Sequence, residues 1–371
     1  MVVDDSAVIR GLVSRWLRED PDIEVVYSAI NGAVAVRNVK SCNAEVVILD
    51  IEMPEMDGMT ALPKLVTAVP DIKVIMASTL TRRGAKISIE AMAKGAADYV
   101  PKPELARDGD AAAVFRRDII AKIKALGAAT RSRRARRASG GIPAPAPVST
   151  RRAGAIQPVR PSFYGTAPIK LRAPAQSRHR ILAVGSSTGG PQALLTLFDG
   201  LKGKVSGLPV VITQHMPATF TAILAEHITK QTGLPCAEAR DGETLKNGQL
   251  YIAPGGHHLL VEKQGAAAVI RINDGPAENF CRPSVDPMFR SLAQVFGAGV
   301  LGIILTGMGH DGRDGGKVVV DAGGTLLAQD EDTSVVWGMP GAVATEGLCS
   351  AVLPLTHIAP AAAKLIAGGG L

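Results

Sequence analysis

Aromatic residues are scarce in this chain, with 2 Trp, 4 Tyr and 7 Phe among 371 residues, so any core must rest on Val, Ile, Leu and Ala. Cysteine is scarcer still. Cys42, Cys236, Cys281 and Cys349 stand apart, with no CxxC pair and no neighbouring Cys/His cluster. That spacing excludes a disulfide or zinc framework and suits reduced thiols in a cytoplasmic protein. No uninterrupted apolar run reaches the roughly 18 residues of a membrane helix. The first residues also lack a charged region followed by an apolar one, so neither membrane insertion nor a signal peptide is expected. Acidic residues are missing from one stretch only. Residues 125–180 hold twelve Lys/Arg, seven prolines and no Asp or Glu, which accounts for the net charge of +7 and leaves the rest of the chain net acidic.

What is present is globular: 46% hydrophobic and 20% charged residues, which excludes wholesale disorder. Glycine is abundant without a triplet period, as expected of tight turns between short elements. From 1 to 124 apolar strands alternate with amphipathic helices: Met1–Val3, Ile23–Tyr27, Val46–Leu49, Lys73–Ala77 and Asp98–Val100, with helices at 8–19 and 84–94. Runs such as VVIL and KVIMA between helices predict a parallel sheet covered on both faces. The Pro/Ala/Arg-rich segment 125–178 reads as a flexible tether. Its arginine runs, such as RSRRARR, carry no interleaved aromatics, so no nucleic-acid partner is expected. From 179 to 371 the alternation resumes, predicting a second doubly wound α/β domain with a hairpin across 258–272.

Asp4 and Asp5 follow the first strand, Asp50 ends the third, Ser78 ends the fourth, and Lys102 follows the fifth. In an open parallel sheet those strand ends share one edge. One acid after a strand is an ordinary turn residue. Three carboxylates together need a hard cation, and Mg²⁺ suits oxygen ligands. A carboxylate nucleophile there can form an aspartyl-phosphate, with Lys102 and Ser78 contacting the transferred oxygens.

In the second half ILAVGSSTGGPQALL is a strand, a glycine-rich turn and a helix with Pro191 in its first turn. The turn is neither GxGxxG nor a Walker A sequence, so a nucleotide-binding reading has little to stand on. The alternative is a turn that lifts Ser187 onto the strand's carboxyl edge. VVITQHMP brings His215 to the same edge and GIILTGMGHDG brings Asp311, so nucleophile, base and orienting acid can converge from separate strand ends. The Met308 N–H is the candidate oxyanion donor. His227, His257, His258 and His357 lie in a helix, a hairpin and a terminal helix, and His310 reads as a solvated loop residue.

Two resemblances follow from these residues. The first 124 residues, through DD, LDIEMPEMDG, MASTL and GAADYVPKP, resemble a response-regulator receiver domain of flavodoxin-like fold. The resemblance implies phosphorylation of Asp50 by a histidine kinase. It also implies Mg²⁺ held by Asp5, Asp50 and the Glu52 carbonyl with Asp4 in the outer shell, a switch pair Ser78/Tyr99, and Lys102 as phosphoryl contact. Only three residues precede Asp4, so that sheet edge is expected to be weakened unless the true start lies upstream.

Residues 181–354, through GSSTGGPQAL, ITQHMP, YIAPGGHH, RPSVDPMF, LTGMGHDG and VWGMPGAV, resemble the catalytic domain of protein-glutamate methylesterases of bacterial chemotaxis, the CheB family. That implies a Ser187–His215–Asp311 triad supported by Thr188, with no cofactor at this site. It further implies hydrolysis of glutamate methyl esters, and deamidation of certain glutamines, on the cytoplasmic helices of chemoreceptors. His310 stands where Asn is common. A non-hydrolytic nucleotide- or DNA-binding output domain is the alternative, but no helix-turn-helix pattern follows the tether.

Overall fold

The structure is a computed structural model that describes residues 1–102, 109–138 and 169–371. Its first sheet has five parallel strands, β1 (Val2–Val3), β2 (Ser28–Ala29), β3 (Val46–Asp50), β4 (Lys73–Ser78) and β5 (Asp98–Pro101), in the order β2-β1-β3-β4-β5. Around it lie α1 (Ala7–Arg18), α2 (Gly32–Asn38), α3 (Gly58–Ala68), α4 (Arg82–Ala93) and α5 (Gly109–Ala138). Side chains of Ser6, Asn31, Asp57 and Thr81 each accept a backbone N–H at the start of one of the first four helices, which fixes where each begins. All five residues of β3 are buried, as a central strand covered on both faces requires.

Two expectations fail here. The segment Ile23–Tyr27 is not a strand. β1 offers only Val2 and Val3, and these pair with Ser28 and Ala29, so the apolar run before them has no ladder to join. Nor does the extended tether begin at 125. Residues 125–138 continue α5, because Ala and Arg are strong helix formers and no proline interrupts them. Leu126 and Thr130 are buried along this stretch, and Arg131 pairs with Glu45 at 2.6 Å. The proline-rich runs of the expected tether fall within 139–168, outside the described residues.

The second sheet has seven parallel strands: β6 (Ile181–Ser186), β7 (Val210–Gln214), β8 (Cys236–Glu238), β9 (Leu250–Ile252), β12 (Val300–Ile304), β13 (Thr325–Gln329) and β14 (Ala351–Leu353), in the order β14-β13-β12-β6-β7-β9-β8. The strands β10 (His258–Gln264) and β11 (Ala267–Asn273) form the expected antiparallel hairpin. Helices α6 (Gly190–Gly200), α7 (Phe220–Thr232), α8 (Val285–Phe296), α9 (Arg313–Asp321), α10 (Met339–Thr345) and α11 (Leu355–Ile366) cover it. The order reverses beside β6, so the loops after β6, β7 and β12 open a crevice at their carboxyl ends.

The two halves touch. The edge of the first sheet at β5, together with α4 and α5, faces α6, α7 and the loops of the second sheet. Tyr99 stacks on Phe220 with ring centroids 4.4 Å apart and planes 10° from parallel, and Arg82 pairs with Glu226 at 2.5 Å. The Arg133 guanidinium, on the far part of α5, donates to the Ser334 carbonyl.

Candidate active site and phospho-acceptor pocket

At the carboxyl edge of the first sheet, carboxylate oxygens of Asp4, Asp5 and Asp50 lie within 4.8 Å of one another. Lys102 Nζ sits between two of them, 2.7 Å from Asp4 and 2.7 Å from Asp50. Burial raises the Asp50 pKa, with the Asp4 charge adding to it and Lys102 opposing. Burial would lower the Lys102 pKa, but hydrogen bonds and charge from Asp4 and Asp50 outweigh it and raise it. One ammonium thus serves a crowded acidic set, and that crowding is what a hard divalent cation relieves. The donor set fits Mg²⁺. A cavity of about 370 Å³ opens over it, lined by Asp5, Asp50, Glu52, Ser78 and Lys102 among others. The Glu52 carboxylate is exposed and faces Arg83 at 3.5 Å, away from the Asp4, Asp5 and Asp50 cluster. Ser78 Oγ accepts from the Ser88 hydroxyl at 2.9 Å.

Tyr99 is not in that cavity. Its ring lies between the sheet and Phe220, under the Lys122 ammonium at 5.2 Å. Its neighbour Asp98, 3% exposed, accepts from Lys122 Nζ at 2.8 Å and from the Thr188 hydroxyl at 2.8 Å. Thr188 therefore turns its side chain to the first domain.

In the second domain Ser187 occupies the turn between β6 and α6. Its N–H donates to the Thr306 carbonyl at 3.0 Å, and its carbonyl accepts from Gly190 N–H and from Gln214 Nε2. A Cβ on Gly190 would lie 2.0 Å from the Gln214 side chain, and one on Gly307 2.9 Å from Ser187 Cβ, so both positions require glycine for this close approach. Met308, next to Gly307, donates no backbone hydrogen bond among the described residues, which leaves its N–H available to a ligand oxygen.

His215 follows β7 with its side chain 11% exposed, and its Nε2 lies 2.7 Å from Asp311 Oδ2. Asp311 is 1% exposed, yet its carboxylate also accepts from Ser284 Oγ, Asn279 Nδ2 and the N–H groups of Val285, Asp286 and Gly312. Burial would raise its pKa. His215 and these donors at the start of α8 prevail and hold it well below the usual carboxylate range. The exchange is reciprocal: Asp286, from α8, accepts from Gly312 and Gly315 N–H at the start of α9. Burial and the nearby Asp311 charge raise the Asp286 pKa to about 6.

Burial works to lower the His215 pKa, but Cys281 and Asp311 outweigh it and hold it at about 10. The second ring nitrogen, Nδ1, meets Cys281 Sγ at 3.3 Å. Both ring nitrogens are engaged, and neither by Ser187 Oγ; the nearest link is the His215 N–H, which donates to the carbonyl of the adjoining Ser186 at 3.1 Å. The structure thus brings His215 and Asp311 together as expected, while Ser187 makes no hydrogen bond with either side chain among the described residues.

Other histidines fall where expected: His310 is exposed, and His258 is a buried structural residue bonded to the Pro276 carbonyl and Ser284 N–H. Cys281, Asn279, Ser284, Asp286 and Asp98 were not singled out. The RPSVDPMF run marks the start of α8, whose free Val285 and Asp286 N–H groups are where an anion such as the Asp311 carboxylate is held.

Family comparisons agree with this geometry. Residues 182–362 match the family described as CheB methylesterase, and residues 1–112 match the response regulator receiver domain. The protein-glutamate methylesterase/protein-glutamine glutaminase 1 of Rhodospirillum rubrum is 53% identical over 360 residues, covering 97% of this chain and 92% of that one. The chain belongs to the CheB methylesterase family. It is a response-regulator methylesterase/glutaminase, a chemotaxis hydrolase with a receiver domain. The like-named protein of Paramagnetospirillum magneticum is also 53% identical, over 99% of this chain and 96% of that one. The crystal structure of the Thermotoga maritima CheB methylesterase catalytic domain is 39% identical with a TM-score of 0.49, covering 52% of this chain and 99% of that one. Receiver domains in general are phosphorylated with Mg²⁺, and the acidic pocket lies in the part of the chain that matches that family. Among the described residues, no helix is long and apolar enough to cross a membrane.

Proposed function

We propose that Ser187 is the nucleophile of this methylesterase, His215 its base, Asp311 the orienting acid and Met308 N–H an oxyanion donor. The observation that carries the reading is the 2.7 Å contact of His215 Nε2 with an Asp311 carboxylate fixed by the starts of two helices. An ionised Asp311 can only accept, so Nε2 carries a proton and Nδ1 is the basic atom. Ser187 Oγ attacks the carbonyl carbon of a glutamate methyl ester while Nδ1 takes its proton, and the oxyanion binds Met308 N–H. Collapse returns that proton to the leaving methoxide, releasing methanol and a glutamyl-Ser187 ester. Water then repeats the cycle and frees glutamate. A glutamine side chain follows the same route with ammonia as leaving group. The substrates are methylated glutamates and certain glutamines on chemoreceptor cytoplasmic helices, and the enzyme acts in the cytoplasm.

Asp50 is the phosphorylated residue, with a histidine kinase as donor. Asp5, Asp50 and the Glu52 carbonyl hold Mg²⁺, Asp4 stands behind them, and Lys102 and Ser78 bind the phosphoryl oxygens. When bound, the cation neutralises charge on the transferred group. The receiver restrains the hydrolase by docking β5 on Thr188 and Phe220, and phosphorylation weakens that docking through Ser78 and Tyr99. Organisation follows as receiver, tether and catalytic domain. Methanol release from methylated receptors, with Ser187→Ala as the blank, tests the nucleophile; a variant that still releases methanol at the wild-type rate refutes it.

A further inference from the structure

One nucleophile in the crevice has no part in that mechanism. Cys281 closes a four-residue turn in which Glu278 and Cys281 exchange backbone hydrogen bonds at 3.1 and 2.9 Å. Asn279 and Phe280, at its tip, have φ of 52° and 62°, the left-handed pair of a tight hairpin turn. The turn is built around the triad acid, since Asn279 Nδ2 donates to both Asp286 and Asp311. The same anchoring aims Cys281 Sγ at His215 Nδ1, 3.3 Å away, while Nε2 of that ring is held by Asp311. Sulphur, imidazole and carboxylate therefore stand in the connectivity of a Cys-His-Asp nucleophile, and the nitrogen they use is the one Ser187 needs.

We propose that Cys281 is a second nucleophile served by the catalytic imidazole, a site of covalent modification by soft alkylating electrophiles whose occupation shuts the esterase off. The inference rests on His215 being the base of the hydrolase, as read above. In the step, Cys281 Sγ attacks the electrophilic carbon while its S–H proton is lost to solvent, the His215 imidazolium beside it stabilises the charge developing on sulphur, and the leaving group departs with its bonding pair. With iodoacetamide, a C–S bond replaces C–I and iodide leaves. The carbamidomethyl group then fills the space beside Nδ1 and keeps Ser187 from transferring its proton. Cys281 is partly exposed, so a small reagent reaches it. The other thiols serve as controls within the chain. Cys349 is buried and burial raises its pKa, while Cys42 and Cys236 are partly exposed like Cys281 but have no imidazole beside them, and desolvation pushes the Cys236 pKa up to about 12.

The test is time-resolved iodoacetamide labelling of the full chain at pH 7, read peptide by peptide by mass spectrometry, with methanol release assayed in parallel. The expected order is Cys281 first, at least about tenfold faster than Cys42, with methanol release lost in step with its adduct, as thiols beside an imidazolium behave. His215→Gln should slow Cys281 labelling about tenfold or more while buried Cys349 stays unlabelled, which shows that the fold is kept. Cys281→Ala should hold its own untreated activity through the same exposure. Equal labelling of Cys42 and Cys281 in the wild-type chain overturns the proposal without any variant. So does a His215→Gln rate within twofold of wild type, or full Cys281 adduct with methanol release intact. Absence of methanol release before treatment refutes the hydrolase reading instead, and leaves the His215 dependence of labelling still measurable.

Discussion

Replacing Asp98 by Ala should switch on the unphosphorylated enzyme. The Asp98 carboxylate is buried at the domain contact and accepts the Thr188 hydroxyl at 2.8 Å, one residue from the nucleophile. Lys122, its other partner, keeps the Tyr99 carbonyl at 2.6 Å after the change, so no ammonium is stranded. A hydrogen bond to a charged group contributes about 1.5–3 kcal/mol. At 1.4 kcal/mol per tenfold, the ratio of docked to undocked receiver should fall roughly 10- to 100-fold. Basal methanol release should rise by up to that factor, with the acetyl-phosphate-activated wild type as its ceiling. The assay compares initial rates of methanol release from methylated receptor for wild type and Asp98→Ala, each with and without acetyl phosphate and Mg²⁺. Thermal melting of both proteins checks the fold. An unphosphorylated Asp98→Ala rate within twofold of wild type, in a protein that melts normally, would refute the docking argument.

Three further outcomes are expected. Asp311→Asn should fold but lose about 10⁴ in kcat for methanol release, because an amide no longer enforces the Nε2–H tautomer; a loss of only a few-fold would remove Asp311 from the triad. With the His215 pKa held at about 10, kcat/KM of the unphosphorylated enzyme should climb with pH above neutrality as the free base appears, and a limb ending near the ordinary 6.5 would contradict the contacts to Cys281 and Asp311. The same raised value contributes stability that is fully present below 6.5 and lost as pH passes about 10, which melting temperatures across that range should track. Finally, chelating Mg²⁺ or changing Asp50→Asn should abolish labelling by radioactive acetyl phosphate, and labelling that survives in Asp50→Asn would move the phosphorylation site elsewhere.

The chemistry-bearing residues were legible because they sit at strand ends. A short apolar strand announces its carboxyl end, and the topology of a parallel sheet collects those ends on one edge. That is why Asp4, Asp5, Asp50 and Lys102 meet, and why His215 and Asp311 do. Partners from distant turns left no such trace. Cys281 reaches His215 from a hairpin 66 residues away, and Asp98 reaches Thr188 from 90 residues away, in another domain. The strand expected at 23–27 failed because strand formation depends on a neighbour, and β1 is two residues long. Helix α5 runs into the segment expected to be a tether because Ala- and Arg-rich sequence without proline is equally good helix sequence.

The placement of β5 says how the two sites can influence one another. Lys102, which bridges Asp4 and Asp50, immediately follows the strand whose first residues, Asp98 and Tyr99, contact Thr188 and Phe220. Its backbone is tied to Ser78 by a 2.6 Å hydrogen bond from Lys102 N–H, so a phosphoryl group drawing on Lys102 and Ser78 pulls at one end of the same short segment. An aromatic stack contributes about 0.5–1.5 kcal/mol and the Asp98 contact about 1.5–3, together roughly 2–4.5 kcal/mol. Moving a two-state equilibrium from 99:1 to 1:99 takes about 5.5 kcal/mol. Loss of both contacts therefore carries a receiver docked 99:1 to somewhere between about 3:1 docked and about 1:20, short of the full reversal to 1:99. The geometry supports a graded gate, in which phosphorylation multiplies the open population and substrate binding to the exposed crevice completes the shift.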